Sequence, residues 1–356
     1  MIRNPLHRIA LLATVMVAVL ISVLIAELVL RIAVAPWAFL DERTDGYWTA
    51  RLRNSKSPSP LADQLDVEFD PQLGWRMRRS YTSAAAHHDS RGFRTSGSAA
   101  TAHRGKRIFM IGDSFTYGLG VRDDETMAAQ LQRMSSAEVI NAGVNGFGVD
   151  QAYLMWELEG RGNSVDIVVL GYFRDDFYRN LLSVREAPKP HLVRDGLSYR
   201  FSGIPVQTAL LAGTDGHTSL RILDVYDYLV RKAHIQFGQM DAMHAEAAAR
   251  SEHLLVALSD SVAAAGAQLI VTVIPGCYQK EDSDASWAVA SILRTGSKAH
   301  IPVLDLTEMR LGNDLFGENC HWNANGNRLA AEKLLVMLSA NGPPVALEEA
   351  RRKASP

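Results

Sequence analysis

The chain has 356 residues, which is enough for one sizeable hydrophobic core with additional segments. It contains 37 Lys and Arg residues against 39 Asp and Glu residues, a formal net charge of −2. This balance excludes the strongly basic surface of many nucleic-acid-binding proteins, so no nucleic-acid partner is expected. The two cysteines, Cys277 and Cys320, belong to no ligand-spaced cluster, so we predict neither a metal site nor a cofactor. The sequence leaves open whether they form a disulfide.

An apolar run extends from Ile9 to Leu30 with almost no interruption. As a helix it would be about 30 Å long, which matches the hydrocarbon core of a bilayer. A secretory signal peptide has a shorter apolar core. Ala33-Val34-Ala35 resembles a signal-peptidase site, but Pro36 would follow the scissile bond and disfavours cleavage. The run therefore predicts a retained transmembrane anchor over residues 9–35.

The charges that flank this span indicate its orientation. Basic residues lie in segment 1–8, and Asp41 and Glu42 follow the span. By the positive-inside rule, residues 1–8 form a cytosolic tail and the bulk of the chain lies on the outer side of the membrane. Glu27 precedes Arg31 by one helical turn, so we expect these two residues to form an ion pair at the membrane interface rather than a functional site.

Segment 36–105 is predicted to be a linker followed by a lead-in to the main domain. The Ser-Pro-Ser-Pro run Ser57–Pro60 is typical of a linker. The rest of the segment is rich in turn residues, and Trp75 and Phe93 are its large apolar side chains that are expected to dock on the domain that follows.

Residues 106–340 alternate between strand and helix patterns, which favours a parallel sheet with helices on both faces. The predicted fold class is α/β, a three-layer flavodoxin-like sandwich with a five-stranded, mainly parallel sheet. An insertion at about 183–239 includes a small hairpin around Asp195-Gly196, and residues 341–356 are predicted to be a disordered tail. The five predicted strands are 107–111, 138–141, 165–170, 268–274 and 301–306.

The first chemical motif is Gly112-Asp113-Ser114, which follows the first of these strands. A serine on a tight strand-to-helix turn exposes its hydroxyl at the sheet edge, and its own backbone N–H can serve as an oxyanion donor. The same pattern also suits a turn that only caps a helix. Taken alone, the motif leaves both interpretations open.

The second motif, Glu318-Asn319-Cys320-His321 followed by Asn323 and Gly326, lies near the C-terminus. Together the two motifs resemble the first and last blocks of the SGNH/GDSL hydrolase superfamily. The resemblance implies that Ser114 is the nucleophile, that His321 is the general base and that Glu318 is the acid, where the family has Asp. Other histidines, such as His88, lack this context and are interpreted as surface residues.

The resemblance also implies an oxyanion hole. Its donors would be the backbone N–H groups of Ser114 and Gly143 and the side chain at position 175, where the family has Asn and this chain has Asp175. An ionised carboxylate donates no hydrogen bond and repels an oxyanion. Either Asp175 is protonated, or Asn145 or Arg174 replaces it, or activity is weak.

Three functions remain open at this stage. The lead-in Asp70-Pro71-Gln72-Leu73-Gly74-Trp75 resembles that of membrane-anchored bacterial SGNH proteins, which implies a single-pass protein of the bacterial inner membrane with its domain in the periplasm. The main hypothesis is an esterase that hydrolyses acyl (acetyl) esters on a cell-envelope glycan, with an acylated glycan or another ester as substrate and the lipid bilayer as the partner of the anchor. The alternatives are an O-acetyltransferase that uses the same acyl-enzyme, and a catalytically impaired glycan-binding or assembly protein.

Overall fold

The N-terminal helix is the one helix in the described part of the chain that is long and apolar enough to cross a membrane. This computed structural model describes residues 5–35, 37–53, 65–97, 105–207, 220–236, 242–277, 283–311, 314–317 and 319–340. Helix α1, Pro5–Ala33, has 29 residues, and its apolar part has a mean hydropathy of 3.0. Such a helix fits either an anchor or a signal sequence. Its Arg31 pairs with Glu27 at 2.6 Å, as the sequence predicts.

The segment between α1 and the main sheet contains more structure than a linker. Helix α2, Asp45–Arg53, lies inside it, and the Asp45 carboxylate accepts hydrogen bonds from the N–H groups of Ser183 (2.7 Å) and Val184 (3.1 Å). Strands β1, Val67–Asp70, and β2, Gly74–Met77, form an antiparallel hairpin. The Ser57–Pro60 run and the tail 341–356 lie outside the described residues.

Trp75 and Phe93 dock on the main domain, which confirms the prediction for these two side chains. Trp75 is fully buried and packs edge-on against Phe147, with ring centroids 5.8 Å apart. Phe93 packs in the same way against Phe109 at 5.6 Å. The lead-in is therefore part of the hydrophobic core.

The main domain is built from strands and helices that alternate along the chain, as predicted. The strands that follow the hairpin are β3 Arg107–Gly112, β4 Glu138–Asn141, β5 Ile167–Phe173, β6 His191–Asp195, β7 Ser198–Ser202, β8 Gln268–Ile274 and β9 Val303–Asp305. The helices are α3 Ser114–Tyr117, α4 Met127–Met134, α5 Val149–Met155, α6 Asp176–Arg179, α7 Arg221–Gln236, α8 Ala242–Ala264, α9 Ser283–Ala299 and α10 Ala324–Ala340.

Five of these strands form one sheet in the order β4-β3-β5-β8-β9, and every neighbouring pair is parallel. This is the flavodoxin-like order, so the predicted α/β fold class is confirmed. The remaining pair, β6 and β7, forms the predicted hairpin of the insertion. In a parallel sheet the carboxyl ends of all strands lie on one edge, which brings the loops after them together.

Alternation along the strands creates a core on each face of the sheet. Phe109 of β3 packs in the core that contains Leu258 of α8, whereas the next residue, Met110, packs in the core that contains Met127 of α4 and Leu334 of α10. Side chains of successive strand residues point to opposite faces, so one apolar strand supplies both cores. The three-layer arrangement follows from this pattern.

Candidate active site

The turn between β3 and α3 presents Ser114 at the carboxyl edge of the sheet. Asp113 is the N-cap of α3, and its Oδ1 accepts a hydrogen bond from the N–H of Phe115 at 2.9 Å. At Gly112 the backbone has φ +147°, and a Cβ would lie 2.4 Å from Thr116 Oγ1 and 2.6 Å from the Gly171 carbonyl oxygen. Only glycine fits there, so the sharp turn depends on this residue.

A buried ion-pair network stabilises the turn between β3 and α3. Arg179 of α6 lies 3.0 Å from Asp113 Oδ2 and 2.6 Å from Asp176 Oδ1, and it also donates to the Phe147 carbonyl. Burial raises the pKa of the Asp176 carboxyl well above its usual value, and the charge of Arg179 opposes that shift. Asp113 therefore braces the turn that carries Ser114.

The structure brings Ser114 and His321 together across 207 residues of sequence. Ser114 Oγ lies 2.7 Å from His321 Nε2, and His321 Nδ1 lies 2.9 Å from the backbone carbonyl oxygen of Asn319. A carbonyl can only accept, so Nδ1 carries the proton and Nε2 is left as the acceptor for the serine hydroxyl. This is the tautomer that a general base requires.

Aromatic packing fixes the plane of the imidazole. The His321 ring stacks on Phe115 with centroids 4.7 Å apart, and Phe115 stacks in turn on Phe173 at 4.9 Å. Phe115 is the residue after Ser114, so the base rests on the same short helix that carries the hydroxyl. The Ser114 hydroxyl and the His321 ring are therefore held at a fixed position relative to each other.

Glu318, the predicted acid, lies outside the described residues. The described partner of His321 Nδ1 is the Asn319 carbonyl, and the Asn319 side chain also accepts from the His321 backbone N–H at 3.2 Å. A carbonyl orients the ring as a carboxylate would, but it has no full charge to balance an imidazolium. Orientation and charge compensation can therefore come from different groups.

A disulfide joins Cys277, in the loop after β8, to Cys320, the residue before His321. The sequence left this bond open. Both cysteines line the cavity described next. The loop that carries the base is thus covalently tied to the edge of the sheet.

Ser114 and His321 open onto a cavity of about 340 Å³ at the carboxyl edge of the sheet. Its charged residues occur as pairs, with 3.3 Å between Arg174 Nε and Asp175 Oδ1 and 3.4 Å between Arg185 and Glu186. Burial lowers the pKa of the Arg185 guanidinium to about 10. The lining residues are Ser114, Phe115, Leu119, Asn145, Gly146, Phe173, Arg174, Asp175, Arg179, Arg185, Glu186, Gly276, Cys277, Cys320 and His321.

Gly143 does not line this cavity, although the sequence assigns it an oxyanion role. Its N–H donates to Asn141 Oδ1 at 3.1 Å, and a Cβ on it would lie 2.4 Å from the Tyr117 backbone nitrogen. Gly143 thus lets the loop after β4 pack against the nucleophile turn. Gly146, three residues later, has φ +80° and does line the cavity.

The other two predicted oxyanion residues, Asn145 and Asp175, both line the cavity. The Oδ1 atom of Asn145 is buried and accepts no hydrogen bond within the described part of the chain. The Asp175 side chain is 53% exposed and pairs with Arg174. An ion-paired carboxylate offers no donor, whereas the Asn145 amide can donate.

Sequence reasoning missed Gly146, Arg179 and Arg185 as parts of this region. Gly146 lies in the glycine-rich stretch 142–148, but the local pattern does not distinguish it from Gly143. The two arginines carry no motif, and only the packing of α6 and the insertion brings them to the site. Within the described residues no group of His, Cys, Asp or Glu could hold a metal ion.

No protein-family model matches the chain, and no curated protein matches it significantly. Similar solved structures include a putative lipolytic protein of the G-D-S-L family from Desulfitobacterium hafniense DCB-2, at 13% identity and a TM-score of 0.40, covering 65% of this chain and 98% of that chain. A lipase/acylhydrolase from Enterococcus faecalis has 14% identity and a TM-score of 0.41, covering 67% and 98%. The acetylxylan esterase Axe2 from Geobacillus stearothermophilus has 13% identity and a TM-score of 0.41, covering 65% and 93%. These proteins are too distant to assign an activity to this chain.

Proposed function

We propose that the chain is a membrane-anchored serine esterase that hydrolyses acyl (acetyl) esters on a cell-envelope glycan. The observation that carries the proposal is the 2.7 Å hydrogen bond between Ser114 Oγ and His321 Nε2, with the opposite ring nitrogen held by a carbonyl. This arrangement supplies a nucleophile and a general base in the required tautomer, and both open onto a cavity large enough for an ester.

The reaction follows from these groups. Ser114 Oγ attacks the ester carbonyl carbon as its proton passes to His321 Nε2, and His321 returns that proton to the departing sugar oxygen when the ester C–O bond breaks. Water then attacks the acyl-serine, His321 takes the proton of the water, and Ser114 leaves with that proton. Glu318, three residues before His321 in the sequence, is proposed to balance the charge of the imidazolium.

The developing oxyanion needs donors in the wall of the cavity. We assign them to the backbone N–H groups of Ser114 and Gly146 and to the amide of Asn145. The Ser114 N–H is the first of α3 and has no acceptor within that helix. Asp175, at the position where a third amide would help, weakens this stabilisation.

The retained anchor is supported by contacts that α1 makes with the rest of the chain. Glu27 Oε2 accepts a hydrogen bond from the backbone N–H of Ile222 at 3.2 Å. Cleavage after Ala35 would remove Glu27 and leave the N-terminus of α7 without this acceptor. We propose a single-pass protein of the bacterial inner membrane with its domain in the periplasm.

The test is labelling of the full chain by a fluorophosphonate probe together with turnover of p-nitrophenyl acetate. We expect Ser114→Ala to lose labelling and to lower kcat at least about a thousandfold, because the nucleophile is absent. Ser198→Ala, in the exposed β7 strand, is the matched control and should behave as the wild type. Wild-type protein that neither reacts with the probe nor turns over ester would overturn the esterase proposal.

One observation favours a second candidate, a catalytically impaired glycan-binding protein. Asp175 lines the cavity as an exposed carboxylate paired with Arg174, at the position where the resemblance to the SGNH/GDSL superfamily implies an amide donor. Glycan binding that is retained without labelling of Ser114 would favour this second candidate.

The O-acetyltransferase alternative is tested by incubating the protein with an acetyl donor and an oligosaccharide. Net formation of acetylated sugar would show acyl transfer and overturn the hydrolase proposal.

A further inference from the structure

Helix α7 has apolar side chains that the described part of the chain leaves exposed. Three large ones, Leu223, Tyr226 and Leu229, are 51%, 63% and 59% exposed. At 100° per residue these positions, with Ile222 and Val230 between them, cover an arc of about 120°, and Asp227 lies just beyond the Leu223 edge of this arc, about 160° from Leu229. A soluble domain of this size rarely leaves such a face uncovered.

The described neighbour of α7 is the C-terminal half of α1. Val23, Ala26, Glu27 and Leu30 are less exposed than the residues around them, and their spacing is that of one helical stripe. Glu27 accepts the hydrogen bond from the Ile222 N–H on this side, so it caps the first turn of α7. The two helices are therefore fixed to each other at a defined level along α1.

The position of Glu27 along α1 lies within the apolar span. Glu27 precedes Ala33, the end of α1, by six residues, which is about 9 Å along a helix. The neighbouring apolar side chains on α1, such as Leu24 and Leu28, are more than half exposed. If α1 crosses a bilayer, the hydrogen bond between Glu27 and the Ile222 N–H places the start of α7 at the outer lipid boundary.

We propose that α7 is an interfacial helix that lies in the outer headgroup region of the bilayer, with Leu223, Tyr226 and Leu229 inserted toward the acyl chains. The inference rests on the anchor in the proposed function. The sequence of α7 carries three basic and two acidic residues, so apolar burial rather than attraction to anionic lipid holds it there. Two helices contacting the membrane at a fixed angle would orient the domain and its cavity.

The experiment places an environment-sensitive fluorophore on the full chain in liposomes, through a single introduced cysteine. Native Cys277 and Cys320 are disulfide-bonded and do not react with the label. Leu229→Cys reports the apolar face, and Asp227→Cys, about 160° away from Leu229 around the helix, is the matched control. Leu20→Cys, in the exposed middle of α1, reports the anchor itself. Thermal unfolding followed by circular dichroism checks that each labelled variant is folded.

Lipids that carry a nitroxide near the headgroup should quench the label at 229 at least about twofold more than the label at 227, because an interfacial helix buries its apolar face about 5–10 Å deep. Lipids with the nitroxide at the chain end should quench the label at 20. Equal quenching at 229 and 227 would overturn the inference. So would a label at 229 that is shielded from water but not quenched by lipid, which would indicate a second copy or another part of the chain on this face. Loss of quenching at 20 would instead overturn the anchor.

Discussion

At the scale of single residues, the two nitrogens of His321 decide what the site can do. Nδ1 is held by the Asn319 carbonyl and Nε2 by the Ser114 hydroxyl, so both hydrogen bonds of the neutral ring are used. The carbonyl fixes the tautomer before substrate binds. The Asn319 carbonyl cannot balance the positive charge that the His321 ring would gain with the serine proton. Balancing this charge requires a carboxylate.

We therefore predict that Glu318→Gln lowers kcat at least about tenfold with little change in KM, because an amide keeps the shape but not the charge of the side chain. Steady-state turnover of p-nitrophenyl acetate measures it. Glu332→Gln, on the exposed side of α10, is the matched control. An unchanged kcat would remove Glu318 from the mechanism and leave the Asn319 carbonyl as the orienting group.

In the proposed mechanism, the Asp175 carboxylate lies in the cavity close to the place where the oxyanion would develop. Asp175→Asn replaces an acceptor by a donor and removes the repulsion, so we expect kcat to rise at least about tenfold. The same assay checks it, with Asp195→Asn in the exposed hairpin turn as control. A decrease in kcat would mean that Asp175 serves substrate binding through its pair with Arg174 and lies away from the oxyanion.

At the scale of elements, the loop that carries His321 is held by its disulfide. Replacing Cys277 and Cys320 together by Ala should lower both kcat and the melting temperature, because the bond constrains a loop of 43 residues and fixes the base beside Ser114. A closed loop of this length is worth about 4 kcal/mol in the chain-entropy picture, and measured values are usually lower. Thermal melts and kcat are measured in parallel.

A reductant gives the control for this prediction. It should lower kcat of the wild-type protein toward that of the double variant and leave the double variant itself unchanged. A variant that melts earlier but keeps the wild-type kcat would show that the bond only stabilises the fold and does not position His321.

The helices and strands differ in whether a sequence pattern can predict them. The strands of the main sheet were predictable because they are short apolar, β-rich runs that alternate with helical patterns, and helix α10 was predictable because it is a long run that follows the second motif. Helix α2 was not, since it has no apolar stripe and depends on burial of Trp48 and on the Asp45 hydrogen bonds to the insertion. The close approach of the Tyr117 backbone to Gly143 was not predictable, because a local glycine-rich motif does not reveal which distant segment packs against it.

At the scale of the whole molecule, the histidines couple stability to pH. His88 was expected at the surface but is buried between the lead-in and the nucleophile turn, where its Nδ1 meets the Arg78 carbonyl at 2.8 Å and its Nε2 meets the Tyr117 hydroxyl at 2.9 Å. Burial lowers the pKa of His88, and it does the same for His191 and His253. No motif marks these positions, because their burial results from packing between distant segments.

The sign of the resulting pH dependence follows from these directions. The folded state favours neutral imidazoles, whereas the unfolded chain binds protons near the ordinary value of 6.5. The unfolded state therefore holds more protons below that pH, so the stability contributed by these groups is complete above 6.5 and is lost as the pH falls toward the lowered values. We predict a melting temperature that decreases between about pH 7 and about pH 5.5, over a window in which most carboxylates stay ionised.

His88→Gln separates this effect from other titrations. Glutamine carries no charge at any pH, so the variant should show a weaker decrease in melting temperature over the same interval, even if it is less stable throughout. His300→Asn is the matched control, since His300 is exposed and its φ of 54° suits asparagine. Circular dichroism melts at a series of pH values measure both. An unchanged slope in His88→Gln would assign the acid sensitivity to groups other than the histidine that joins the lead-in to the nucleophile turn.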